Sequence, residues 1–208
     1  MDFKKAYKDL YLPKTTPMLI EVPEMVFVMF NGRGNPNDPQ GEYPLALALL
    51  YALSYTIKMS KMGSEKIAGY YDYIVPPLEG LWQLPGGKSD GIIDKDALTW
   101  ISLIRQPEFV TQEVFDWACE SVHRKKGLDP AKARLQKMTE GLCVQCMHIG
   151  SYDAELETIA RMNQFVEAQG LAHDFSESRR HHEIYLSDPR KTDPEKLKTV
   201  IRVPVRKA

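Results

Sequence analysis

The same succession of elements can be read twice along this chain, and that recurrence limits its folds more than any single residue does. In the first pass, MVFVMF over residues 25–30 alternates as a strand and ends at the Gly-rich NGRG. NPNDPQGEY is a loop of turn formers, and YPLALALLYALSYTIKMSKM is a leucine-dense helix that admits Pro44 in its first turn. YYDYIVPPLEGLWQLPG follows, and Pro76 and Pro77, which cannot donate to a central ladder, mark it as an edge strand or a strand broken at a bulge. After a hairpin tip, GGKSDGIIDKDA, the segment LTWISLIRQP returns as a strand. It carries Trp100, Ser102 and Ile104 on one face and Thr99, Ile101 and Leu103 on the other.

In the second pass CVQCMHIG is a strand, AELETIARMNQFVEAQG a helix with Leu156, Ile159, Met162 and Phe165 inward, and HHEIYLSD and TVIRVPV are strands. Between the passes lies TQEVFDWACESVHRKKG, a helix capped by Thr111 and stopped by Gly127, and DPAKARLQKM is read as a further short helix. Residues 1–17 are an amphipathic arm or short helix laid on the body. The predicted fold is α+β: one domain over 1–208, with repeats at about 18–107 and 141–205 joined by helices over 111–138. Each strand-helix-strand-strand unit has one helix for one sheet face. The two units therefore make a pseudo-two-fold antiparallel or mixed sheet with a groove between them.

Composition narrows the function classes. A formal net charge of -1 leaves no basic stripe for nucleic acid. No apolar run reaches membrane-spanning length, and MDFKKAYKDLYLP has no signal-peptide core, so a cytoplasmic setting is expected. Cys143 and Cys146 have C-x-x-C spacing with His148 close by, but the pair lies in a strand pattern and no second C-x-x-C completes four ligands. They are read as strand cysteines, with neither metal nor cofactor expected.

In HHEIYLSDP, strand alternation places His181, Glu183 and Tyr185 on one face and His182, Ile184 and Leu186 on the other. A carboxylate between an imidazole and a phenol is a candidate for charge recognition or proton transfer. In PPLEGLW a second glutamate, Glu79, stands beside aromatic residues, and the repeat predicts that Glu79 and Glu183 share the groove. Trp82, Trp100, Tyr71 and His181 are candidate ligand contacts, whereas Trp117 is read as packing. No Ser-His-Asp order or G-x-S-x-G elbow offers a covalent route.

The element order, GSYDAELETIARMNQFVEAQG, HHEIYLSDP and TVIRVPV resemble the GyrI-like small-molecule-binding domain, itself similar to the effector domains of multidrug-sensing transcription regulators. The resemblance covers roughly residues 18–205, and its most specific part is the E-x-Y-L strand. It implies a duplicated fold with a drug-sized, aromatic or cationic ligand bound between the repeats. The family's central acidic residue matches Glu183, its strand tyrosine Tyr185, and its tyrosine after the first strand of the second repeat Tyr152. Unlike the regulators, this sequence shows no DNA-binding helix pair ahead of the domain. Some stand-alone members are regarded as hydrolases of reactive cyclopropanoid compounds, and the aromatic first half here is similar to that branch. The expectations are therefore a hydrolase with Glu183 and Tyr185 at its centre, or a non-catalytic sensor or sequestering protein acting through an unspecified protein partner.

Overall fold

A computed structural model describes residues 1–63, 66–83 and 95–208, and most of the expected hairpin tip lies outside these. Two short helices, α1 (Phe3–Ala6) and α2 (Lys8–Tyr11), open the chain. Then come β1 (Met18–Val22), β2 (Met25–Arg33), α3 (Glu42–Lys58), β3 (Leu78–Gln83), β4 (Thr99–Gln106) and α4 (Gln112–Lys126). The second half holds β5 (Ala133–Met138), β6 (Gly141–Ile149), α5 (Glu155–Ala168), β7 (Leu171–His173), β8 (His181–Tyr185) and β9 (Lys198–Lys207).

All strand pairs are antiparallel, in the order β1-β6-β9-β8-β3-β4-β2-β5, with β7 added to the end of β9. The order reads the same from both ends if β2 corresponds to β6, β3 to β8 and β4 to β9. The two outer pairs belong to one ladder: Met18 opposite Gln145 and Met25 opposite Met138 fall in a single register, interrupted at Pro23, Glu24, Thr139 and Glu140. Because only two residues join β1 to β2 and β5 to β6, the sheet bends until its two ends meet.

Helices α3 and α5 lie on the same face. Leu49, Leu50, Leu53 and Ile57 of α3 pack with Val28, Phe30, Trp100 and Ile104, backed by Phe115, Ala118 and Val122 of α4. Met162 and Val166 of α5 pack with Val144, Cys146, Ile201 and Val203. Each such aliphatic side chain contributes about 1.5–3 kcal/mol of transfer free energy when fully buried. The opposite face is closed by the N-terminal arm, through Phe3, Leu10 and Tyr11 against Phe27, Met29, Leu103 and Val200.

Three expectations are corrected. DPAKARLQKM forms strand β5 instead of a helix, because pairing with β2 overrides the helix propensity of Ala, Lys, Arg and Leu. β3 is central, between β8 and β4, since Pro76 and Pro77 precede Leu78 and owe the ladder nothing. On α5 the inward stripe is Glu155, Thr158, Met162 and Val166, with Leu156 left 60% exposed. A strand over 18–22 also precedes the first expected one, and it pairs in the other half of the molecule.

Candidate functional site

With α3 over β2 and β4, and α5 over β6 and β9, the middle strands β8 and β3 form the floor of the space between the helices. On that floor, register places Gly80 opposite Glu183 and Trp82 opposite His181. His181, Glu183 and Tyr185 share this face, as strand alternation predicts. The Glu183 carboxylate is held at both oxygens: Oε1 lies 3.1 Å from His181 Nε2, and Oε2 accepts the Tyr185 hydroxyl at 2.8 Å. Tyr185 in turn accepts the Trp82 indole N–H at 3.0 Å. The Glu183 side chain is 15% exposed, so it is partly desolvated yet open to a small molecule.

Aromatic rings surround the carboxylate. Tyr43, in the first turn of α3, stacks on Trp82 at 6.1 Å, and Tyr152 meets Tyr185 edge-on at 5.9 Å. Burial first, and then the Glu183 charge, push the Tyr185 and Tyr43 phenols well above their ordinary range. Tyr152 is pushed up to about 12, chiefly by burial and then by the charges of Glu155 and Glu183. These phenols keep their protons at neutral pH, so Tyr185 donates to Glu183.

A further carboxyl group reaches the site from the start of α5. Ligating atoms of Glu155, His181 and Glu183 all lie within 4.8 Å of one another. Two full negative charges so placed would repel by roughly 3 kcal/mol at an effective dielectric of about 20. Burial and the Glu183 charge accordingly raise the Glu155 carboxyl far above the ordinary carboxylate range. Both Glu183 oxygens already hold hydrogen bonds, so the cluster is arranged to hold a proton more readily than a metal ion.

The sequence-predicted residues divide. Glu183, Tyr185, His181, Trp82 and Tyr152 come together. Trp100 lies in the row beside Trp82 but is 1% exposed, sandwiched against Phe30 and Tyr43 with its indole N–H on the Gly34 carbonyl at 3.1 Å. A Cβ at Gly32 would fall 2.1 Å from its ring, so this glycine makes room for it. Trp100 supports Tyr43, and its edge helps line a separate open cavity of about 400 Å³ with Arg33, Glu42, Lys132 and Arg180. Tyr71 packs against Phe109 and donates to Glu108 at 2.8 Å, away from Glu183.

Glu79 does not share the groove. It pairs opposite Ile184, so its side chain projects from the other face of the sheet. There, His182 lies between Glu79 and Glu140, 2.9 Å from each, and Arg202 pairs with Glu140 at 2.7 Å. The contact with Glu79 is an ion pair whose N–H is not aimed at the oxygen. Both carboxylates and both cations are almost completely buried. Despite burial, Glu140 is lowered to about 2 by His182 and Arg202, and His182 is raised to about 9 by Glu140 and then Glu79.

Sequence reasoning missed Tyr43 and Glu155. Tyr43 precedes Pro44 in a helix start that gives no chemical cue. Glu155 was legible in principle, because starting the α5 stripe one residue earlier turns it inward with Thr158, Met162 and Val166.

The sequence profile of the GyrI-like small molecule binding domain matches residues 15–206. Two crystal structures from Listeria innocua are similar over nearly the whole length. One, described as a hydrolase, is 48% identical with a TM-score of 0.90, covering 99% of this chain and 100% of that one. The other, described as an uncharacterized conserved protein, is 50% identical with a TM-score of 0.93 at the same coverage. The EcmrR C-terminal domain, 14% identical with a TM-score of 0.55, covers 93% of this chain and 98% of its own and shares the fold. No curated protein sequence matches. Among the described residues, no helix is long and apolar enough to cross a membrane.

Proposed function

Since the chain belongs to the GyrI-like small-molecule-binding domain family, we propose that it hydrolyses reactive, drug-sized electrophiles of the cyclopropanoid type between α3 and α5. The observation that carries this reading is the Glu183 carboxylate, fixed by Tyr185 and His181 among aromatic rings. Similarity of nearly half the residues to a protein described as a hydrolase supports it. In this reading Trp82, Tyr43 and Tyr152 hold a flat substrate, and Glu183 takes a proton from water as the water oxygen attacks the electrophilic carbon. Tyr185 keeps the carboxylate aimed and, through Trp82, ties it to the wall that positions the substrate.

The same geometry, an anion ringed by aromatic faces, also favours a cationic aromatic ligand, which is the non-catalytic alternative. Glu183→Gln separates the two, because it keeps size and hydrogen bonding while removing charge and basicity. A hydrolase variant binds a neutral spirocyclopropyl cyclohexadienone as the parent does but loses turnover by about 100-fold or more. A sensor variant shows no turnover to lose and binds a cationic aromatic dye more weakly by about 1–3 kcal/mol. Unchanged turnover in E183Q overturns the catalytic role of Glu183.

A further inference from the structure

We propose that the open cavity at the rim of the sheet, where β2 ends and β4 begins, is a second ligand site that takes a compact phosphate monoester. Its lining follows from register. Asn31 pairs with Ile101 and Arg33 with Thr99 across the β2–β4 ladder, and Ile101 packs against the back-face cluster, so these four side chains belong to the face opposite Glu183. Arg180, just ahead of β8, and Lys132, just ahead of β5, complete the wall. Arg134, opposite Met29 on the same back face, joins them through Asn31, whose Oδ1 accepts its Nη1–H at 2.7 Å.

Charge sets the ligand class. The cations there are Arg33, Lys132, Arg134 and Arg180, and the acids are Glu42 and Glu177. Glu42 is taken, because Lys132 pairs with it and it accepts the Arg33 backbone N–H at 3.1 Å. Arg180 donates its Nε–H to the Glu177 carbonyl at 2.9 Å, and the Glu177 charge favours its own. The partners of Arg134 are neutral: Asn31, Gln136 and the Met29 sulfur. Among the described residues, the side chains of Arg33, Arg134 and Arg180 make no ion pair. Burial first, and then the Arg180 charge, lower the Arg134 guanidinium from its ordinary range, so these cations are gathered short of counter-charge. A guanidinium offers paired N–H donors that match phosphate oxygens two at a time, and three of them without an ion pair suit a dianion better than a single carboxylate. At about 400 Å³ the cavity exceeds a phosphate group, and Ile101 and the Trp100 edge give it an apolar wall, so the phosphate carries a compact organic body. The bounded outline and a formal net charge of -1 on the chain fit such a molecule better than a polynucleotide.

The test titrates the full chain, labelled with nitrogen-15, with phenyl phosphate at low ionic strength and follows the backbone amide signals. Saturable shifts are expected at Gly32, Arg33, Thr99, Ile101 and Arg180, with Glu183 and Tyr185 little changed. Phenol, the same body without the phosphate, should leave those five amides unmoved. An equal response to phenol, shifts centred on Glu183, or no saturation by roughly 10 mM would each overturn the assignment. By calorimetry, Arg180→Gln should weaken phenyl phosphate about tenfold or more, whereas Lys137→Gln, on β5 outside the cavity, should leave its affinity as it is. Wild-type affinity in R180Q overturns the proposal, and should that variant not fold, the shift map of the parent decides alone. Tighter binding of a thymidine oligonucleotide or of phosphatidylglycerol vesicles than of phenyl phosphate, lost in R180Q, would assign the arginines to a polymer or a membrane and overturn the small-ligand reading.

Discussion

A methyl group at position 80 has nowhere to go. A Cβ on Gly80 would lie 2.8 Å from the Trp82 indole nitrogen and 2.9 Å from the Tyr185 hydroxyl, so both side chains would have to move off the floor of the site. Gly80→Ala should therefore fold with a loss of about 1–3 kcal/mol in denaturant titration. Its turnover should drop on the order of 100-fold, because misplacement by about an ångström is that costly. Unaltered kinetics would mean that the Trp82–Tyr185 contact does not position Glu183. At this scale the period-2 alternation of a strand made His181, Glu183 and Tyr185 readable, since a single rule fixes which side chains share a face. The separation of Glu79 from Glu183 was not readable. It depends on the register between β3 and β8, and aromatic neighbours in sequence say nothing of register.

At the scale of elements, local chemistry was legible wherever the chain closes its own hydrogen bonds. The Thr111 hydroxyl accepts the Val114 N–H at 3.3 Å, and Gly127 adopts a left-handed φ of 66° while its N–H reaches the His123 carbonyl. Both ends of α4 were read from those residues. Thr111→Ala should cost about 0.5–2 kcal/mol in thermal or chemical unfolding. No measurable loss would show that the packing of α4 on α3 holds the helix end unaided. The strand cysteines follow from the same periodicity. Cys143 lies in the back-face cluster and Cys146 under α5, so residues three apart on one strand point to opposite faces and cannot share a metal ion or a disulfide. Metal analysis of the purified protein should find no stoichiometric zinc, and the double Cys→Ser variant should fold. Tight zinc retained through dialysis would contradict this geometry. β5 was illegible because its strand state comes from a partner more than a hundred residues earlier, and the Ala-, Lys- and Arg-rich segment has no strand preference of its own.

At the scale of the whole molecule, the buried charges behind the sheet tie stability to pH. Glu140, lowered to about 2, contributes stability that is present above its unfolded value near 4.5 and is lost as pH falls toward 2. His182, raised to about 9, contributes stability that is complete below its unfolded value near 6.5 and is lost as pH rises through about 9. Glu155, also raised, declines in the same alkaline direction, so the informative quantity is the difference between wild type and His182→Gln. Urea midpoints from pH 5 to 10 should show a less stable H182Q whose alkaline decline is shallower than that of the parent. Equal slopes would place the alkaline loss elsewhere. Strand order was foreseeable as a doubling, since hydrophobic periods recur, but not the joining of its ends, which rests on the pairing of β1 with β6.

That pairing bears on how the chain is made. The ribosome releases β1 early and its partner β6 only after β5, so Met18–Val22 must wait while β2, β3 and β4 find one another. The N-terminal arm waits as well, because the Arg202 guanidinium that grips the Leu10 carbonyl belongs to β9. Residues of the arm thus emerge early and are placed late. Until β9 leaves the exit tunnel, the nascent chain carries an unclosed sheet edge and an uncovered apolar back face, the surface a holding chaperone would recognise.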